Sequence, residues 1–124
     1  MFRITRIHHA SFLVEDLERA EHFYTQTLGL TRIPRPDLGY PGLWLQINTS
    51  EQLHLMQLPD PDAGRQAPEH GGRDRHLAVA VEGLDILEQR LNELDWDYTR
   101  SRSGRQALFC RDPDGNALEF IQLT

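Results

Sequence analysis

Four polar side chains stand where this sequence otherwise places apolar ones. His54 lies between Leu53 and Leu55, and Glu119 lies between Leu118 and Phe120. His9 and His76 each open an apolar run, Ala10–Val14 and Leu77–Val81. A buried, unpaired carboxylate is costly, so Glu119 calls for a partner. Imidazole nitrogens and a carboxylate oxygen suit a divalent transition metal such as zinc, nickel, manganese, iron or cobalt. Four protein donors on a five- or six-coordinate ion leave one or two positions for water or substrate. Such an ion polarises a substrate oxygen or acidifies a neighbouring C–H or water. Hydrogen-bonded core histidines are the competing reading, and spacing alone leaves both open.

Positioning these four residues falls to two similar runs of predicted elements. Thr5 to Val14 reads as a strand. Asp16 offers a helix N-cap, Leu17, Ala20, Phe23, Tyr24 and Leu28 recur at helical spacing, and Gly29 stops the helix. Short strands follow at Thr31–Pro34, Leu43–Asn48 and Gln52–Leu58, separated by turns. Residues 59–74, rich in Pro, Gly and charge, read as a linker. The order then recurs: a strand at His76–Val81, and a helix striped by Leu84, Leu87, Leu91 and Leu94. Strands near Tyr98–Arg100 and Ala107–Arg111, the turn Asp112-Pro113-Asp114-Gly115 and a strand Asn116–Leu123 complete it.

The repeat extends to individual residues. A shift of 67 positions places His9 on His76, Val14 on Val81, Glu15 on Glu82 and Leu17 on Leu84. The interval from His9 to His54 is 45 residues, and from His76 to Glu119 it is 43. Two βαβββ modules, about 1–58 and 75–124, are the expected organisation, in an α+β chain. Side chains alternate faces along a strand. Leu77, Val79 and Val81 therefore share the helix-facing side, and His76, Ala78 and Ala80 the other. Leu118 and Phe120 separate in the same way from Ala117, Glu119 and Ile121. The four polar residues are thus expected on the concave face of a curved mixed sheet. The same parity puts His8 opposite His9. His22 falls on the polar side of its helix, and His70 in the linker reads as surface loop or as a lid.

Composition removes other classes. At 124 residues with 39% hydrophobic and 26% charged residues, a soluble globular domain is expected. No apolar run reaches the roughly 20 residues that span a bilayer, and no export signal is read at the N-terminus. A net charge of −6 disfavours nucleic acid as a partner. All 13 basic residues are arginine, which excludes lysine Schiff-base chemistry and the lysine-dependent phosphate loop. The single cysteine, Cys110, fits a reducing cytoplasm and sits in the apolar run Ala107-Leu108-Phe109-Cys110, where an inert, buried thiol is expected.

The segments HASFLVEDL (His9–Leu17), Phe23-Tyr24, Leu28-Gly29-Leu30, RHLAVAV (Arg75–Val81) and DPDGNALE (Asp112–Glu119) resemble the vicinal oxygen chelate superfamily. That group includes glyoxalase I, the bleomycin-resistance proteins and the extradiol dioxygenases. The resemblance covers nearly the whole chain and implies paired βαβββ modules. It implies metal ligands at His9, His76 and Glu119. His54 takes the fourth-strand position, where glyoxalase I usually has glutamate, so His54 is either a ligand or a polar group behind one. It further implies a homodimer in which His9 and His54 of one chain meet His76 and Glu119 of the other.

On substrate the resemblance is weaker. Leu13 and Leu58 stand where bacterial glyoxalase I has an arginine and an asparagine that hold glutathione. The implied activity is a glyoxalase-like lyase or isomerase on a small substrate chelated through vicinal oxygens, with Glu119 assisting proton transfer. Arg100, Arg102 or Arg105 would clamp an anionic group, unless they form a solvated hairpin. Ser11 matches a polar position of the fosfomycin thiol transferases. Thiol transfer or ring-cleaving dioxygenation on the same metal is the alternative, and non-catalytic small-molecule binding the third.

Overall fold

The computed structural model describes residues 1–124 as two compact units, Met1–Pro61 and Asp62–Thr124. The first contains β1 (His9–Leu13), α1 (Leu17–Glu21), β2 (Thr31–Ile33), β3 (Gly42–Gln46) and β4 (Gln52–Met56). The second contains β5 (His76–Val81), α2 (Leu84–Glu93), β6 (Tyr98–Arg100), β7 (Ala107–Arg111) and β8 (Ala117–Gln122). Each is a βαβββ module with its own four-stranded mixed sheet, ordered β1-β4-β3-β2 and β5-β8-β7-β6. In both, the first strand runs parallel to the last, and the remaining pairs are antiparallel. A parallel pair needs a crossover, and the helix supplies it.

The strands form where apolar residues alternate with others. In the first unit Leu43, Leu45, Leu53 and Leu55 are fully buried on one face, with Ala20, Phe23 and Tyr24 from the helical segment. In the second, Leu108, Cys110, Leu118 and Phe120 are buried along with Leu84 and Leu91 of α2. Each such leucine contributes about 1.5–3 kcal/mol on burial. Both helices begin with the same device. The first backbone N–H of α1, Leu17, donates to the Gln57 side chain at 2.9 Å, and that of α2, Leu84, donates to Gln122 at 2.9 Å. Each glutamine follows or ends the last strand of its module, so the helix N-terminus is tied to the strand that carries the polar intrusion.

Several expectations are corrected. β1 begins at His9 rather than Thr5, because its one neighbour, β4, begins at Gln52 behind the Asn48–Glu51 turn. His8 therefore lies outside the strand, and face parity does not apply to it. The first helix stays α-helical only to Glu21 and widens into a π-type turn over His22–Thr27. There the Thr25 hydroxyl donates to the Glu21 carbonyl at 2.7 Å, and Leu28 N–H reaches back to Phe23. Leu94 is half exposed rather than buried, since α2 ends at Glu93 and Asp95 turns the chain at φ +54°. Most of the segment read as a linker packs with the second unit and includes a 3-10 turn at Gly71–Arg73.

Candidate metal centre

In the first unit, the β1–β4 register pairs His9 with Gln52 and Ser11 with His54, while β3 brings Trp44 opposite His54. All five share the face that the helix leaves uncovered. Three rings stack there like plates. His9 and His54 lie 4.0 Å apart with planes inclined by 16°, and Trp44 and His54 lie 4.4 Å apart at 9°. His54 is buried and donates from Nε2 to the Gln52 side-chain oxygen at 2.9 Å, which leaves the Nδ1 lone pair. Burial, then the neighbouring His9, His8 and Arg35, push its pKa down to about 4. His54 is therefore neutral near pH 7, the form that binds metals. His8 Nδ1 approaches His9 Nδ1 at 2.9 Å.

In the second unit, the β5–β8 register pairs His76 with Ala117 and Ala78 with Glu119. Glu119 and His54 thus occupy equivalent places, each two register pairs beyond the histidine of the first strand. His76 Nδ1 lies 2.8 Å from the Asp74 carbonyl. A carbonyl only accepts, so Nδ1 carries the proton, and the Nε2 of neutral His76 is a bare lone pair. That lone pair faces the Glu119 carboxylate, with Nε2 to Oε1 at 3.1 Å. Glu119 is itself buried, 5% exposed. The Asp74 carbonyl is held in place through its own side chain, which accepts two bonds from Arg65 (3.0 and 2.7 Å) and one from Arg111 (2.8 Å). These bonds, Arg65 first, hold the Asp74 carboxyl well below the usual carboxylate range against the effect of its burial. The turn before β8 is built on Asp112, whose carboxylate accepts the backbone N–H of Asp114 and Asn116 at 2.9 Å each. Gly115 closes that turn at φ +88°.

The arginines divide. Arg102 and Arg105 border a cleft of about 400 Å³ that also contains His76, Glu119, Ser101 and Ser103. Arg105 Nη1 lies 3.9 Å from Glu119 Oε2. Arg100 does not belong to this group. Its strand parity matches Tyr98, on the helix side, and both side chains bond to Glu88 of α2. The expectation for Arg100 as a substrate clamp is corrected accordingly. Cys110 lies on that side too, 3% exposed, and burial pushes its thiol up to about 12, an unreactive state.

The structure also supplies residues that sequence reasoning missed. His70, read as surface loop or lid, is 8% exposed and packs edge-to-face on Phe109, as His76 does from another side. Trp44, between Leu43 and Leu45, carries the same alternation signal that singled out His54. Asp74 offered no signal, since its role depends on the guanidinium groups of Arg65 and Arg111, which only the fold brings to it.

The donor set fits a divalent ion. Neither unit gathers three such donors around one point by itself, so each presents a pair. His76 is oriented by a backbone carbonyl and His54 by an amide oxygen, as metal-ligating imidazoles are. A bare nitrogen facing a carboxylate at 3.1 Å is a place for a cation or a proton.

A family model described as "Glyoxalase/Bleomycin resistance protein/Dioxygenase superfamily" matches residues 6–120. The chain is 30% identical over 123 residues to glyoxylase I 4 of Arabidopsis thaliana, covering 94% of this chain and 70% of that protein. Among solved structures it is similar to TnmS3, an antibiotic binding protein from Streptomyces sp. CB03234. The TM-score is 0.77 at 22% identity, with all of both chains covered. It is also similar to the fosfomycin resistance protein FosX of Listeria monocytogenes, as an E126Q mutant complexed with Mn(II) and a dihydroxypropylphosphonic acid. There the TM-score is 0.73 at 16% identity, covering 98% of this chain and 95% of that one.

Proposed function

Because the chain belongs to the glyoxalase/bleomycin resistance protein/dioxygenase superfamily, we propose that it is a metal-dependent lyase or isomerase of the glyoxalase type. Its substrate is a small molecule held through two vicinal oxygens. One observation carries this reading: the Asp74 carbonyl, bonded to His76 Nδ1, turns His76 Nε2 toward the buried Glu119 carboxylate. In this reading His9, His54, His76 and Glu119 hold the ion, two donors from each module. The ion when bound supplies Lewis acidity toward the substrate oxygens.

The remaining work belongs to the chain. Glu119 takes a proton from the carbon beside the substrate carbonyl, whose oxygen accepts the electron pair left behind. It returns that proton to the former carbonyl carbon, while the hydroxyl proton on the first carbon passes to the neighbouring oxygen, so atoms and electrons balance. Burial of Glu119 keeps the proton from bulk water meanwhile. Arg105, beside Glu119, offsets charge as the carboxyl gains and loses its proton. Arg102 and Arg105 bind an anionic group of the substrate, and Ser11 offers a hydroxyl on the face of the other histidine pair. Leu13 and Leu58 speak against glutathione as the thiol. The assembly is a homodimer whose sites each combine one module from each chain.

The test begins with metal content of protein purified without chelators. Turnover of methylglyoxal is then followed with several thiols under nickel or zinc. Bound metal that is lost in His9→Ala, together with turnover, supports the reading. No turnover with any thiol, or ligand binding indifferent to His9→Ala, sinks it. Catechol-dependent oxygen uptake under iron would move the reaction to ring cleavage. Mixing H9A with H76A distinguishes the dimer arrangement. A mixed dimer regains one intact site if modules pair between chains, and none if they pair within one.

A further inference from the structure

The cleft beside Glu119 is also bordered by His70, which the reading above does not use. His70 stands immediately before the Gly71–Arg73 turn, and that turn lies flat against Phe109. The glycines make this possible. A Cβ on Gly71 would come within 3.3 Å of Phe109 Cβ, and one on Gly72 within 2.7 Å of His70 Nε2 and 3.1 Å of Phe109 Cζ. The His70 ring is therefore inserted between turn and sheet at 8% exposure, edge-to-face on Phe109 with centroids 5.0 Å apart. Its Nδ1 lies 2.7 Å from the Thr99 hydroxyl, on the edge strand β6. Its Nε2 makes no hydrogen bond within the chain. Yet His70 borders the same cleft as His76, Glu119, Arg102 and Arg105.

A buried imidazole with one nitrogen satisfied and the other open to a cleft is half-paid for structurally, and the unmet half points to a ligand. We propose that His70 is a substrate-contacting residue of this site. Its Nε2–H donates to an oxygen of the anionic group held by Arg102 and Arg105, and the Thr99 hydroxyl, donating to Nδ1, positions the ring. The substrate class is a carboxylate or a phosphate-like oxyanion. This rests on the proposed function for the identity of the cleft, not for the role of the ring. His70 is also kept neutral, its pKa lowered by burial and then by Arg102, Arg73 and His76, so the ring retains a single N–H to donate.

The test uses the full chain, freed of metal, with inorganic phosphate and acetate as separate probes of the two oxyanion classes. His70 ring nitrogens are followed by NMR, and affinity by titration. In His70→Asn the amide stands near Nδ1 and Nε2 is missing; in His70→Gln the amide reaches the Nε2 position. H70N is expected to weaken the better probe about tenfold or more, and H70Q to stay within a few-fold of wild type. The Nε2 resonance of the wild type should move on titration. T99V should give a smaller loss, with Nε2 still responding. Equal binding by H70N and wild type overturns the proposal, as does equal loss in H70N and H70Q, which marks a structural ring. A wild-type Nε2 that neither salt moves overturns it too. If R105A loses the probe while H70N does not, His70 falls and the cleft stands. If no thiol supports turnover but the His70 response holds, the reaction class falls and His70 stands.

Discussion

The two modules share one scaffold and differ in what surrounds the polar pair. Register places His54 and Glu119 identically, each two pairs beyond the histidine of the parallel first strand. The helix N-termini are tied by equivalent glutamines, Gln57 and Gln122. The neighbours diverge. In the first unit His9, His54 and Trp44 stack as parallel rings, and burial, then His9, His8 and Arg35, lowers the pKa of His54. In the second the pair is an imidazole and a carboxylate, bordered by arginines and partly covered by the Gly71–Arg73 turn. The duplicated sheet decides where donors sit. On the proposed function, the residues flanking them make the first half a neutral holder and the second the half that moves protons.

That contrast predicts an ordered set of effects. The largest is at Glu119. E119Q should lower kcat by about a hundredfold to ten-thousandfold, since it removes a donor and the proton carrier together. H54Q should weaken metal binding about tenfold and recover with excess metal. Steady-state kinetics against metal concentration checks both, and equal, metal-insensitive losses would break the division of labour.

Next is pH. His54 in the metal-free fold titrates near 4, below the ordinary 6.5 of the unfolded chain. The unfolded state therefore binds this proton first. Stability from His54 is complete above pH 6.5 and is lost as pH falls toward 4, by about 3 kcal/mol in all. Urea denaturation across that window should show the slope in wild type and a shallower one in H54Q.

Asp74 comes third. D74N removes the charge that gathers Arg65 and Arg111, and with it the hold on the His76 carbonyl partner. A loss of about 2 kcal/mol in stability and roughly tenfold in metal affinity is expected, read by denaturation and metal titration. A D74N protein with unchanged metal affinity would mean that the sheet alone orients His76. The smallest effect is at Cys110. A thiol reagent should leave the native chain unmodified over the time that modifies it fully in denaturant, and C110A should retain activity.

Much of this was legible before any coordinates. Alternation around His54 and Glu119, the 67-residue shift and the Asp112–Gly115 turn are local signals, and strand parity translates them directly into faces. The bounds of β5, β6 and β7 also follow from local pattern. What failed was non-local. β1 starts late because β4 starts late, and Arg100 turns to Glu88 because helix α2 lies on its side of the sheet. His70 was hidden in a segment of Pro, Gly and charge whose composition signals only a loop.

The sequence by itself determined the doubled βαβββ order, the four candidate donors and the family, since these depend on spacing along the chain. Only the tertiary structure decided which nitrogen of His76 faces Glu119, how the imidazoles of His9 and His54 stack, and that His70 borders the cleft. Those depend on ring orientation and hydrogen-bond partners brought from distant positions such as Asp74, Thr99 and Trp44. Periodicity records which face a side chain takes, and not which atoms it meets there.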